Sequence, residues 1–172
     1  IGLDYFHKYG DRRSQIELFI DQLEIAERLE LPVIIHNREA GKDVLEVLRD
    51  RMPPCGAVLH CYSENAEYAD RILSAGLNVY FSFAGNLTYR NARNLHETVS
   101  MLPYDRILVE SEAPFMVPAE YRGKRNKPEY LPSTAWFLSE ILQMAPEEAA
   151  EITYQNACRD RKSTRLNSSH GI

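Results

Sequence analysis

With 172 residues, 44% of them hydrophobic, and a net charge of −5, the chain suits one globular domain or a large piece of one. The acidic balance argues against a protein that coats nucleic acid indiscriminately. No run approaches the roughly 18 apolar residues of a membrane span, no secretory signal opens the chain, and Cys55, Cys61 and Cys158 lack CxxC spacing; reduced thiols in a cytoplasm are expected, with no membrane contact.

The chain opens on Ile1, inside strand-like sequence (IGLDYF, 1–6). Ser14 and Glu17 have the spacing of a capping box, in which hydroxyl and carboxylate satisfy each other's backbone N–H. Ile16, Phe19, Ile20, Leu23 and Ala26 follow at helical spacing and predict an amphipathic helix over 15–30. Pro32 opens the strand PVIIH. A helix with Val44, Leu45 and Leu48 inward then stops near Pro53-Pro54, and GAVLH (56–60) is the next strand. Ser63 is a candidate N-cap for a helix to about Ala75, ended by Gly76. A strand over 78–85, a helix over 90–102 and a strand over 106–111 complete the alternation. After a Pro-rich loop (113–132), Ser133 caps a helix carrying Trp136, Phe137, Ile141 and Met144, and Pro146 fits the first turn of a last helix, to about Cys158. From Asp160 the apolar periodicity stops. Residues 160–172 read as a non-native tail and are set aside, His170 with them, leaving 1–159 as the domain.

The strands are near-continuous apolar runs, as expected when both faces are covered. His36 and His60 are 24 residues apart, and His60 and Ser82 are 22 apart; each interval fits one βα unit. The pattern predicts an α/β fold with a parallel sheet, either a (β/α) barrel or a doubly wound sheet. Five strands are visible. A (β/α)8 barrel of TIM type runs to about 250 residues, so this chain would hold about the last five βα units, with about three strands expected ahead of Ile1.

Barrel enzymes keep their chemistry at the C-terminal ends of strands, where His36, His60 and the pair Glu110 and Glu112 all fall. Imidazole and carboxylate are common ligands for divalent metals. A single histidine ending a strand is more often a hydrogen-bonded structural residue; two at equivalent positions, with acids after a third strand, shift the balance towards ligands. Glu110 and Glu112 would share a face if the strand continued. YRGKRNK (121–127) carries Arg122, Lys124, Arg125 and Lys127 on the face of the proposed site. Such a run is commonly a solvated loop, but in an acidic chain it suits holding a phosphate near a metal. Arg38 could serve similarly, or sit in a structural salt bridge. His7 and His96 read as surface residues and Cys61 as packing; Tyr5 and Tyr62 are weak candidates to line a cleft. No phosphate-cradling glycine loop or nucleophile triad is evident.

IGLDYF, PVIIHNREA, LHCYS, FSFAGNLTYRNA, ILVESEAPF, YRGKRNKPEY and TYQNACR occur in that order. Together, over Ile1 to about Arg159, they resemble the TatD family of metal-dependent deoxyribonucleases. The resemblance implies an amidohydrolase-like (β/α)8 barrel with a metal centre at the strand C-termini. Its pattern has a His-x-His on the first strand and a Glu just before the IGLDY motif, both of which would lie upstream of Ile1. The next two ligands match His36 and His60. The last is usually an Asp in a TDAP-like motif; here Glu112, one methylene longer, holds that place in Ser111-Glu112-Ala113-Pro114.

The function so implied is hydrolysis of DNA phosphodiesters, removing nucleotides from 3′ ends of single strands. Two divalent ions would serve it, with Mg2+, Mn2+ and Zn2+ not distinguished and no obligate protein partner. His36, His60 and Glu112 would hold metal, Glu112 would also orient or deprotonate the attacking water, and Arg122, Lys124, Arg125 and Arg38 would hold phosphate. The runner-up is a metal-dependent hydrolase of another bond, an ester or amide of a small molecule or aminoacyl-RNA, because fold does not fix function. A third reading is an inactive truncated fragment or a binding protein, with open sheet edges that favour aggregation.

Overall fold

In a computed structural model, residues 1–7 and 9–166 are described, the last six of these as backbone alone. Five strands alternate with six helices: β1 (Gly2–Asp4), α1 (Arg12–Arg28), β2 (Val33–Arg38), α2 (Gly41–Asp50), β3 (Ala57–Leu59), α3 (Ala66–Ser74), β4 (Val79–Phe83), α4 (Arg93–Met101), β5 (Ile107–Val109), α5 (Leu131–Leu142) and α6 (Pro146–Leu166). The strand order in the sheet is β1-β2-β3-β4-β5, and the recorded pairings are parallel. A doubly wound sheet reverses its strand order at a switch point. Order that simply follows the chain is the barrel pattern. The expected α/β fold of successive βα units is therefore observed.

Contacts divide the chain into two units. The first comprises Ile1–His60, Asp70–Tyr80 and the chain from Cys158. In it Gly2 pairs with His36 and Asp4 with Arg38, while Val33 pairs with Ala57 and Ile35 with Leu59. Leu3, Phe19, Leu23, Ile35, Leu45, Leu48, Leu59 and Ile72 are fully buried and form its core. Each such side chain contributes about 1.5–3 kcal/mol of apolar burial. Gly56 precedes β3 at φ +86°, a conformation that favours glycine, and a Cβ there would lie 3.1 Å from the Asn78 carbonyl oxygen.

The second unit comprises Cys61–Ala69 and Phe81–Ala157. Phe81 and Phe83 of β4, Ile107 of β5, Leu87, Leu95, Val99 and Leu138 are its main buried apolar residues. Asn156 anchors α6 on β5, its side-chain amide donating to the carbonyls of Tyr104 and Ile107.

Several boundaries differ from the sequence reading, each for a physical reason. Asp11, not Ser14, caps α1; its carboxylate accepts from the Ser14 N–H and hydroxyl. Glu17 pairs instead with Arg13. Asn65, not Ser63, accepts from the Tyr68 N–H at the start of α3. The helix expected from Ser133 begins at Leu131 with Pro132 in its first turn, and the Ser133 hydroxyl turns to Glu120. Its inward residues are Thr134, Leu138 and Ser139, whereas Trp136 is 60% exposed. Full coverage of the strands holds for β3 and β4, but Ile34 of β2 is exposed. The α6 backbone is helical through Leu166; the rest of the 160–172 tail, His170 included, lies outside the described residues.

Candidate metal centre

The parallel register of the first unit sets three strand ends side by side, and polar side chains follow from that placement. His36 stands on β2, two residues beyond Ile34. His60 follows β3 directly, and Asp4 ends β1. The rings of His36 and His60 meet with Nδ1 of His36 3.0 Å from Nε2 of His60. On its other edge, Nε2 of His36 lies 3.2 Å from Oδ2 of Asp4. The same Asp4 oxygen is 2.7 Å from Nδ1 of His7, and the His7 N–H donates to Oδ1 of Asp4. The result is a chain His7–Asp4–His36–His60.

The charge of Asp4 follows from its neighbours. Burial alone would raise its carboxyl, but the His7 N–H and the imidazoles of His7 and His36 outweigh it and hold the group down at about 2. An ionised Asp4 favours the His36 tautomer with its proton on Nε2, which would leave the Nδ1 lone pair towards His60. Carboxylate–histidine pairing of this kind fixes tautomer and ring direction in metal sites. Two ligand nitrogens about 2.05 Å from one ion are about 2.9 Å apart at a right angle and about 3.3 Å apart at a tetrahedral angle. The observed 3.0 Å fits that span, so the donor set suits a divalent ion.

A second cluster supports the same corner. Asp43, buried in the first turn of α2, accepts from the Tyr5 hydroxyl at 2.6 Å and from Nε and Nη2 of Arg12, both at 2.6 Å. The Arg12 hydrogen bonds hold the Asp43 carboxyl below the usual carboxylate range despite its burial. Burial and the Asp43 bond push the Tyr5 hydroxyl up to about 12. Tyr5 is thus a strut beside Asp4. Arg38 is turned onto Phe6, its guanidinium carbon 4.0 Å from the ring centroid.

In the second unit, β5 ends at Val109 and the Glu110 N–H continues the ladder to the Phe83 carbonyl for one more residue. The chain then turns, with Glu112 at φ +51° and its carbonyl accepting from Phe115. Strand alternation therefore does not relate Glu110 to Glu112; a turn does. Glu110 accepts from the Cys61 N–H at 3.0 Å. Cys61, read from sequence as packing, sits in a turn at φ +44°, and its backbone amide serves the acid. Tyr62 is core, its ring edge-on to Phe81 and Phe83 and its hydroxyl pushed far up by burial.

The basic segment is held against the Glu112 loop by one residue. The buried Asn126 side chain donates to the carbonyls of Ser111 and Phe115, which bracket Glu112, and accepts from the Lys127 N–H. Arg122, Lys124 and Arg125 stay exposed, with Arg122 over the Tyr89 ring at 5.4 Å and Tyr121 stacked on Tyr130 at 3.8 Å. The structure thus brings His36 and His60 together in one unit, and Glu110, Glu112 and the basic segment together in the other. Asp4 and His7 were missed from sequence, although Asp4 ends β1 beside His36 on β2 and His60 just past β3. His96 is not a free surface histidine: its Nε2 lies 2.8 Å from the Leu87 carbonyl.

A family model described as "TatD related DNase" matches residues 1–160. The chain belongs to the TatD-related DNase family. It is 39% identical over 160 residues to the "Uncharacterized metal-dependent hydrolase YabD" of Bacillus subtilis, covering 92% of this chain and 62% of that protein. It is 38% identical over 159 residues to the "Uncharacterized metal-dependent hydrolase YcfH" of Escherichia coli K12, covering 92% and 59%. Among solved structures it resembles YJJV, a TatD homologue of Escherichia coli K12, with TM-score 0.83 and 29% identity over 92% of this chain and 61% of that one. An uncharacterized amidohydrolase of Saccharomyces cerevisiae shares the fold, with TM-score 0.81 at 18% identity over 93% and 63%. The TatD-family chain described here thus spans about three fifths of the length of these relatives. Its family is one of metal-dependent hydrolases. No helix of the described residues is long and apolar enough to cross a membrane.

Proposed function

We propose that the protein carrying this chain is a metal-dependent phosphodiesterase acting on single-stranded DNA, releasing nucleotides from the 3′ end. The observation that carries the reading is the Asp4–His36–His60 chain, a carboxylate-oriented pair of imidazoles at strand C-termini in a TatD-family chain. His36 and His60 of the first unit are proposed metal ligands, and Glu112 of the second unit is proposed as a further one. Two bound divalent ions, Mg2+, Mn2+ or Zn2+, would polarise a phosphate oxygen and acidify water.

The chain's own residues do the rest. Asp4 holds the proton on Nε2 of His36 and so keeps Nδ1 available as a donor atom. Glu112 accepts the proton of the attacking water, a carboxylate role that needs its turn held by Asn126. Arg122, Lys124, Arg125 and Arg38 supply positive charge for the phosphate backbone. Cys55, Cys61 and Cys158 form no disulfide, and we place the protein in a reducing cytoplasm.

The test is release of labelled nucleotides from single strands in Mg2+ or Mn2+, compared with His60→Ala. Loss of at least 100-fold in the variant supports the reading. Equal rates, or no cleavage of DNA alongside hydrolysis of carboxylic esters, would replace it with the hydrolase of another bond.

A further inference from the structure

Beside the paired imidazoles lies a group of four side chains whose flat faces the chemistry above does not use. Phe6, His7 and Tyr9 follow β1 on the surface, and Arg38 ends β2 opposite Asp4. Phe6 stands edge-on to His7, with centroids 5.0 Å apart and planes at 87°. His7 stacks on Tyr9, with centroids 5.1 Å apart and planes at 11°. The Arg38 guanidinium covers Phe6. These rings do not build the core: Phe6 is 50% exposed and Tyr9 84%. Tyr9 has His7 on one face and presents most of its surface to solvent. Phe6, His7 and Tyr9 touch one another, and a contiguous exposed patch of rings is the kind of surface that marks a ligand site.

We infer that Phe6, His7 and Tyr9, flanked by Arg38, form a stacking platform for an unpaired nucleobase of the substrate strand. The inference rests on the phosphodiesterase reading and names how that site takes single strands. Three observations favour a base over a peptide or lipid. Flat rings arranged face-to-face and edge-on accept another flat ring in the same geometries. The flanking cation is a planar guanidinium, which can stack by its face and still offer in-plane N–H groups to a phosphate. The platform is also tied to the centre, because His7 is bonded to Asp4 at 2.7 Å and Asp4 meets His36 at 3.2 Å. A base on Tyr9 would therefore be two hydrogen bonds from a proposed metal ligand. Every base has a π-face, so such a platform is tolerant of sequence and selects against paired bases.

The experiment measures binding of a fluorescent oligodeoxythymidylate in EDTA by anisotropy, for wild type, Tyr9→Ala, Phe6→Ala and Tyr9→Phe. The same strand built of abasic tetrahydrofuran sites is the second probe. Tyr9→Ala and Phe6→Ala should each weaken binding of the normal strand about tenfold, and Tyr9→Phe less than about twofold. On the abasic strand wild type should already bind weakly, and the alanine variants should lose nothing further. Normal binding by both alanine variants, or equal losses on the two strands, would overturn the platform. Hydrolysis of the normal strand by wild type in Mn2+ is measured in parallel. If wild type cuts the strand while the ring variants bind as it does, the platform alone falls. If wild type neither binds nor cuts it, the phosphodiesterase reading falls, and the platform with it.

Discussion

Asn126 is the residue whose replacement most sharply separates a clamp from a phosphate contact, since it lies inside the basic motif but points inward. Its side chain is 4% exposed, donates to the Ser111 and Phe115 carbonyls and accepts from the Lys127 N–H. Its own N–H donates to the Pro114 carbonyl. Asn126→Ala removes three side-chain hydrogen bonds. At about 0.5–1.5 kcal/mol net each, and with two carbonyls left partly buried, the loss is about 2–4 kcal/mol. Asn126→Asp keeps the shape but sets an acceptor oxygen against two carbonyl oxygens, so it should cost at least as much at neutral pH. It should recover part of that loss in acid, where a protonated carboxyl can donate one bond. Urea unfolding of the three proteins at neutral and acid pH measures this. Because the bracketed turn holds Glu112, nucleotide release should also fall at least tenfold, with affinity for a short oligonucleotide changed little. A stability loss under about 0.5 kcal/mol in Asn126→Ala, or weakened DNA binding with unchanged stability, would refute the clamp.

Asp43→Asn should destabilise the first unit by about 1–2 kcal/mol at neutral pH, a figure reduced because Arg12 is largely exposed. The folded Asp43 carboxyl lies below its unfolded value, so its contribution is present above about pH 4 and is lost as pH falls through the folded value. The urea midpoints of wild type and variant should therefore converge in acid. Asp4→Ala should weaken metal binding about 10- to 100-fold in calorimetry with His36 and His60 intact; unchanged affinity would remove Asp4 from the site. Gly85→Ala should lower the thermal midpoint by several degrees, because a Cβ there overlaps the Met116 carbonyl oxygen and lies 2.8 Å from the Pro118 nitrogen; an unchanged melting curve would show that this loop yields freely.

The legibility of the sequence followed the range of the forces involved. His36 and His60 were readable because a strand-length apolar run before each fixes its place at a C-terminal end, and βα spacing relates the two. Asp4 obeyed the same rule but sits in a short strand at the start of the chain, where no preceding run marks it. Glu112 could be placed after β5 but not aimed, since the turn depends on Asn126, fourteen residues on and outside any periodicity. The caps at Asp11 and Asn65 were displaced from Ser14 and Ser63 because several polar residues compete at each helix start, and only the backbone path decides among them. Sequence places Trp136 among the apolar residues of α5, and it is 60% exposed. The buried face of α5 instead carries Thr134 and Ser139, and the Ser139 hydroxyl bonds back to the Trp136 carbonyl. A helix that buries small self-satisfied hydroxyls gives a weak apolar stripe.

The central claim is that the paired imidazoles serve a metal-dependent attack on DNA. The most direct measurement is the rate of nucleotide release from a 3′-labelled single strand, with Mn2+ titrated into metal-stripped wild type and His36→Ala. The account predicts saturable, metal-dependent release in wild type and at least a 100-fold loss in the variant. Release that persists in EDTA, or is equal in the two proteins, would contradict it.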